Sequence, residues 1–298
     1  MLRQNARIAV VAPAGVFLPE RLEIAARMLR SFGYDPVLGP NVQARHRYFA
    51  GTAAQRAADL AWALTAPDID AVWFARGGYG TAQTLALLPW DRLDARPVIG
   101  FSDATALLVA MHRRGLRGIH GPVLHGLVEF ELGSSPPVTP IDTESRAVLR
   151  TLLATGTAPA LPGRPLLGDS APVRGPVVGG NLTVLASLAG TPWALDATGS
   201  IVVLEDVHEP PYRIERALCQ LLDSGGLRGA RGVALGDFHH CRPDAPDYTL
   251  ADIFREHLGT LGIPVIFGIP VGHTVHNYAW IHGAEGTLSP DGITWTGA

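Results

Sequence analysis

The sequence predicts an α/β protein whose first half builds a parallel sheet, and three observations carry that reading. Short apolar runs alternate with amphipathic segments from residue 8 to residue 114, the rhythm of strand, helix, strand. The chain has 298 residues, 47% of them hydrophobic, which is enough apolar material for two modest cores and hence two domains. A stretch rich in proline and glycine, Gly133 to Gly175, divides the two halves.

Taken in order, Ile8 to Val11 reads as a first buried strand. The pattern around it, Arg3 and Arg7 ahead of the apolar run and Ala12-Pro13-Ala14 after it, imitates a cleavable leader. The run is shorter than the roughly 7 to 15 apolar residues a leader core needs. Pro19 to Phe32 reads as a helix, because Pro19 suits a first turn, Leu22, Ala25, Ala26 and Leu29 recur at helical spacing, and Gly33 can close it. Then follow helix Ala53 to Leu64, strand Ala71 to Phe74, helix Thr81 to Leu88, strand Val98 to Gly100 and helix Ala104 to Arg114. One short helix, Thr143 to Ala154, interrupts the dividing stretch. The boundaries expected are 1–135 for the first domain, 136–174 for the linker and 175–298 for the second domain.

The second half opens on GPVVGGNLTVLASLAGTP from Gly175 to Pro192. It continues with strand Ser200 to Leu204, helix Tyr212 to Leu222, strand Gly232 to Leu235, a helix near Leu250 to Leu258, strand Pro264 to Phe267 and short β-like pieces. There is no internal repeat.

Charge excludes several function classes. Lys plus Arg number 24 against 27 Asp plus Glu, a net charge of -3 without long runs of one sign, which is no footprint for nucleic acid or anionic lipid. No run approaches the roughly 18 apolar residues of a membrane span. The two cysteines, Cys219 and Cys241, show no metal-ligand spacing and read as reduced thiols of a cytoplasmic protein. His239, His240 and Cys241 near Asp237 lack a second ligand pair, so no metal and no cofactor is expected.

The richest chemistry sits in PVIGFSDATALLVAMHRR, Pro97 to Arg114, where Ser102 falls between an apolar strand and a helix. A hydroxyl there projects from the sheet edge toward the free N–H groups of the next helix. A serine nucleophile needs a base, usually histidine, and a carboxylate to hold that base. Glu205-Asp206 after IVVL and Gly272-His273 after VIFGIPV both follow strand-like runs, where α/β folds collect catalytic groups. The order Ser102, Glu205, His273 is that of α/β-hydrolases, although Gly100-Phe101-Ser102-Asp103-Ala104 lacks their second glycine. From these residues alone two readings stay open, since Ser102-Asp103 also suits a helix cap and Glu205-Asp206 a solvated turn. The glycines of Arg76-Gly77-Gly78-Tyr79-Gly80 would let amides approach a ligand closely, but the loop lacks the lysine and the dinucleotide spacing of a phosphate cradle and otherwise reads as a tight turn.

Seven segments in order resemble the serine LD-carboxypeptidase family, also called muramoyltetrapeptide carboxypeptidases: VVAPAG at Val10, RGGYG at Arg76, GFSD at Gly100, HGP at His120, GGNL at Gly179, LEDVHEPPYRIER at Leu204 and GHTVHN at Gly272. The resemblance implies a Rossmann-like or flavodoxin-like parallel domain, a smaller α/β or β-barrel-like second domain, and an active site in the cleft between them. It implies Ser102 as nucleophile, Glu205 as acid and His273 as base. With that site, the Asp103 amide and the amides of Gly77 or Gly78 are the expected oxyanion donors, and Arg76 or Arg213 the cation for a substrate carboxylate. The implied activity is removal of the terminal D-alanine from murein tetrapeptides, with a small peptide as partner and a homodimer as assembly. Two alternatives remain, a same-family hydrolase of peptidyl or aminoacyl nucleotides and a non-enzymatic small-molecule binder. No Trp or Tyr between Glu131 and Gly175 offers a base a platform. Ala279-Trp280-Ile281-His282-Gly283 departs from the family's proline-containing approach to glycine, which makes His282 unusual.

Overall fold

The elements appear in chain order as β1 (Arg7–Val11), α1 (Pro19–Ser31), β2 (Asp35–Leu38), α2 (Ala53–Thr65), β3 (Ala71–Phe74), β4 (Val98–Gly100), α3 (Thr105–His112), β5 (Gly118–His120), α4 (Leu124–Leu132) and α5 (Thr143–Thr155). The second half adds β6 (Leu161–Pro162), β7 (Arg164–Leu167), β8 (Val173–Asn181), α6 (Leu182–Ser187), β9 (Ile201–Val207), α7 (Pro211–Asp223), β10 (Gly232–His239), α8 (Leu250–Gly259), β11 (Val265–Phe267), β12 (Trp280–His282), β13 (Glu285–Ser289) and β14 (Gly292–Trp295). These come from a computed structural model that describes residues 1–132, 141–168, 171–242 and 247–296. The proline-rich start of the dividing stretch, 133–140, lies outside the described residues.

Two sheets organise the molecule. The first has six strands in the order β12-β5-β4-β3-β1-β2, all parallel except β12, which runs antiparallel to β5. The second has eight, β6-β14-β13-β8-β9-β10-β11-β7, with a parallel centre from β8 to β11 and antiparallel flanks. Its two edge strands, β6 and β7, are separated in the chain by Gly163 alone, so the sheet curls until its edges nearly meet. This is the α/β class expected, with a parallel first sheet and a barrel-like second one.

The apolar patterning explains the layers. The central strands of the first sheet are buried on both faces, as parallel strands covered by helices must be. On one face α1, α4 and α5 bury Leu22, Leu29, Leu127, Leu149 and Leu152. On the other, a continuous cluster joins Leu60 and Leu64 of α2 and Leu107 and Met111 of α3 to Leu185, Leu218 and Leu258 under the second sheet. Helix α3 is buried from Thr105 to Met111, and each of its large apolar side chains contributes about 1.5–3 kcal/mol by leaving water. The helix α5, within the segment expected to link the domains, therefore completes a core of the first sheet, and β6 and β7 complete the second.

Several local expectations are corrected. Thr81–Leu87 is 3-10 helix, within which the Thr84 hydroxyl donates to the Thr81 carbonyl at 2.7 Å. A 3-10 turn, Ser102–Ala104, precedes α3. Strand β9 runs past Leu204 to Val207, since Asn181 pairs with Glu205 on one side and Asp206 and Val207 pair with Phe238 and His239 on the other. β2, β5, α4, β6 and β7 lie where the sequence pattern predicts no element. Cys219 and Cys241 are free. Among the described residues no helix is long and apolar enough to cross a membrane.

Candidate active site

Ser102 sits one residue beyond the Phe101 that ends the approach from β4, and its backbone has φ of +61°. A side-chain-bearing residue held in the left-handed region is strained by about 1–3 kcal/mol and persists where surrounding contacts over-determine it. Here the strain turns the hydroxyl out of the strand-to-helix corner, as in the nucleophile elbow of hydrolases. The backbone of Gly77 closes on it from β3's loop: a Cβ at Gly77 would lie 3.1 Å from both Cβ and Oγ of Ser102 and 3.8 Å from the Asp103 nitrogen. Any side chain at Gly77 would press Ser102 or the loop back by a few tenths of an ångström.

Asp103 faces the other way. Its carboxylate is 2% exposed and Oδ2 accepts the Thr81 N–H at 2.8 Å. Burial raises its pKa, and the hydrogen bonds from the Thr81 and Gly80 region and the charge of Arg56 oppose that rise. The side chain expected to matter only through its amide thus also fastens the glycine loop.

Glu205 is fully buried within β9, and its Oε2 lies 2.7 Å from Nδ1 of His273, whose side chain keeps 17% exposure. His273 stands in the loop after β11, with Phe101 packed on its ring at a centroid distance of 4.7 Å. Burial alone lowers the imidazole's pKa, but the Glu205 charge and hydrogen bond, with the Asp206 charge behind them, outweigh it and leave the pKa above the ordinary 6.5. The imidazolium is therefore the form that Glu205 stabilises. Asp206 points away, its oxygens occupied by Asn181 Nδ2 at 3.0 Å, the Thr183 amide and hydroxyl at 2.8 and 2.7 Å, and the Val207 amide at 2.8 Å. The Glu205-Asp206 pair is no solvated turn.

Ser102 and His273 line one cavity of about 340 Å³ between the two sheets, with Gly77, Gly78, Arg76 and Phe101 on one side and Val207, His208, His239, Gly272 and Thr274 on the other. No hydrogen bond joins Ser102 to His273 among the described residues, so the hydroxyl and the imidazole share the cavity without touching as donor and acceptor. Arg76 is half-buried, donates from Nη1 to the Val16 carbonyl at 3.0 Å, and has no carboxylate partner among the described residues. Arg213 is elsewhere: half-exposed on α7 and 3.4 Å from Glu209, it does not line the cavity. No group of His, Cys, Asp or Glu among the described residues is arranged to hold a metal ion.

Sequence reasoning missed His125, which lines the cavity and sits 3.3 Å from Glu129, itself 2.6 Å from Arg21. Burial, with the Arg76 charge, pushes the His125 pKa down to about 4. Its only signal was position, five residues after the HGP motif began. His282, the departure from the family pattern, is fully buried in β12 and accepts the Gly179 N–H at 3.1 Å on Nε2.

Comparison with known proteins decides the family. Residues 8–121 match the model of the LD-carboxypeptidase N-terminal domain, and residues 174–288 match that of the LD-carboxypeptidase C-terminal domain. The chain belongs to the LD-carboxypeptidase family. It is 44% identical over 299 residues to a murein tetrapeptide carboxypeptidase of Pseudomonas aeruginosa, covering 98% of this chain and 95% of that one. It is 27% identical over 291 residues to the microcin C7 self-immunity protein MccF of Escherichia coli, covering 88% and 83%. The crystal structure of muramoyltetrapeptide carboxypeptidase from Oxalobacter formigenes superposes with a TM-score of 0.83 at 30% identity over 97% of each chain. MccF in complex with glutamyl sulfamoyl guanosine superposes with a TM-score of 0.84 at 21% identity over 100% and 97%, a likeness of fold.

Proposed function

We propose that this LD-carboxypeptidase family member removes the terminal D-alanine from murein tetrapeptides by a Ser102-His273-Glu205 mechanism. One observation carries the reading: a 2.7 Å Glu205–His273 pair faces the same cavity as a serine held at φ +61°. The 44% identity to a murein tetrapeptide carboxypeptidase supports the substrate class.

In this mechanism the neutral His273 takes the Ser102 proton on Nε2 as Oγ attacks the carbonyl of the L,D bond. Glu205 holds Nδ1–H and stabilises the imidazolium so formed. The tetrahedral oxyanion lies against the amides of Asp103 and of Gly77 or Gly78. The C–N bond then breaks, His273 returns its proton to the leaving nitrogen, and D-alanine departs from a Ser102 ester. Water, deprotonated by the same imidazole, adds to that ester and releases the tripeptide acid. Arg76, the cavity-lining guanidinium without a carboxylate partner, receives the terminal carboxylate.

The test supplies an anhydromuropeptide tetrapeptide and, separately, an aminoacyl sulfamoyl adenosine, with products identified by mass spectrometry. The expected outcome is loss of one alanine from the tetrapeptide and none of that loss with Ser102→Ala. Cleavage of the nucleotide analogue alone, or an active Ser102→Ala protein, overturns the proposal.

A further inference from the structure

Arg56 lies on α2, away from the cavity, and is one of the few charged side chains with almost no exposure, 2%. A guanidinium so far from water needs its donors occupied. No carboxylate within 4 Å does this among the described residues. Nη1 donates instead to the carbonyls of Pro13 at 2.5 Å and Gly80 at 2.7 Å, Nε to Gly51 at 3.2 Å and Nη2 to Gln83 Oε1 at 2.6 Å. The Phe49 ring covers its plane, 4.6 Å away. One cation therefore gathers three backbone segments: the loop after β1, the turn before α2 and the end of the RGGYG loop.

Its contact with Gly80 is the informative one. The Gly80 carbonyl and the Thr81 N–H belong to the same peptide unit, and the Thr81 N–H is held by the Asp103 carboxylate at 2.8 Å. That unit is gripped at its negative end by a guanidinium and at its positive end by a carboxylate, so its dipole is fixed between two buried charges. Asp103 is also the residue after Ser102. The neighbouring Gly78 and Gly80 have φ of +112° and +138°, conformations that no local preference of an L-residue would keep in place. A second tie comes from the same β1 loop, where Gly15 N–H reaches the Gly77 carbonyl at 3.4 Å.

We propose that Arg56 is a positioning residue for the oxyanion-binding loop: through the clamped Gly80–Thr81 peptide, and with Asp103 as its counter-grip, it holds the amides of Gly77 and Gly78 at the Ser102 hydroxyl. This rests on Ser102 being the nucleophile. The residue touches no substrate. Its effect falls on the transition state, where the loop amides meet developing charge, and leaves ground-state binding alone.

The experiment compares wild type, Arg56→Met and Arg56→Lys by steady-state kinetics on the tetrapeptide and by the rate at which a serine-reactive phosphonate modifies Ser102, read by intact mass and peptide mapping. Displacing the loop by a fraction of an ångström is expected to lower kcat at least about tenfold while KM stays within about threefold, with the phosphonate rate falling in parallel. Arg56→Lys, which keeps the charge and loses the fork, falls between, and guanidinium chloride at millimolar concentration restores part of the Arg56→Met rate. A folded Arg56→Met protein with unaltered kcat and phosphonate rate overturns the proposal, as does a loss confined to KM. If Arg56→Met does not fold, an Arg56→Lys protein as fast as wild type in both assays overturns it. Wild-type protein that takes no phosphonate at Ser102 overturns the nucleophile reading instead, so the two failures are separate.

Discussion

Replacing Glu205 with Gln tests the electrostatic heart of the site with minimal change of shape. The carboxamide oxygen can still accept Nδ1–H of His273, so the 2.7 Å contact survives while the charge is lost. With charge centres about 4 Å apart and an effective dielectric constant near 20, that charge is worth about 4 kcal/mol to the imidazolium, or roughly a 10³-fold change in rate. The pKa argument has the same origin. In the wild type the Glu205 and Asp206 charges overcome burial and set the imidazole above 6.5; without Glu205 burial dominates and the pKa drops. Because the base acts when neutral, wild-type kcat/KM should rise with pH through a value above 6.5, and Glu205→Gln should move that limb to lower pH while depressing the plateau about 10³-fold. The assay is D-alanine release measured from pH 5 to 9. A plateau within about threefold of wild type, or a limb that does not move, would refute the reasoning.

Three more expectations follow from the same contacts. Gly77→Ala places a methyl group 3.1 Å from Ser102 Cβ and Oγ, and should cut kcat by at least about tenfold with the thermal midpoint nearly unchanged; equal activity would mean that the loop has room to retreat. Asp206→Asn turns an NH₂ group toward the Asn181 amide or the Thr183 N–H and O–H, and should cost about 2–4 kcal/mol in urea unfolding, against no loss if those donors find other acceptors. Stability should also fall between pH 6.5 and 4. Burial holds His120 at about 3, His125 at about 4 and His282 well below 6.5, so the unfolded chain binds protons that the folded one refuses, each costing about 1.4 kcal/mol per pH unit below 6.5. His112 and His239, also lowered by burial, add to the loss, whereas His273, with its raised value, changes its contribution only above pH 6.5 and the buried Asp59, Asp103 and Asp206, whose values burial raises, offset part of the loss toward pH 4. Equal unfolding free energies at pH 7 and pH 5 would contradict this.

Much of the fold was legible because the informative segments obey a single constraint each. β1 from Ile8 onward, β3 and β4 are short, apolar and buried on both faces, and α1 carries its stripe Leu22, Ala25, Ala26 and Leu29 on the sheet. Elements that the pattern specifies less fully answer to two. β9 carries two carboxylates through a buried strand, which no apolar pattern announces, because Glu205 is matched by His273 and Asp206 by Asn181 and Thr183. β12 is legible as a strand fragment but not as a member of the first sheet, since its partner β5 comes far earlier in the chain. Ser102, Glu205 and His273 could be picked out by residue type and by their place after apolar runs. The strain at Ser102, the withdrawal of Arg213 from the cavity and the presence of His125 in it are facts of packing.

The approach of Ser102 to Glu205 also has a local cause. Helix α3 begins directly after the Ser102–Ala104 turn, and its first residue, Thr105, receives the Asn181 N–H on Oγ1 at 3.1 Å. Asn181 ends β8 and stands opposite Glu205 in β9. The path from Ser102 to Glu205 is thus one helical turn, one hydrogen bond and one strand register. It requires Gly180, because a Cβ there would sit 2.5 Å from Thr105 Oγ1, and the residue's φ of +135° would resist a side chain even with the space. The GGNL motif therefore acts as a joint between the halves of the molecule, and its glycines owe their place to how closely the helix behind Ser102 must approach the strand beside Glu205. Geometry held this way depends on contacts a few residues from Ser102 and Glu205, where one helix start meets one strand end.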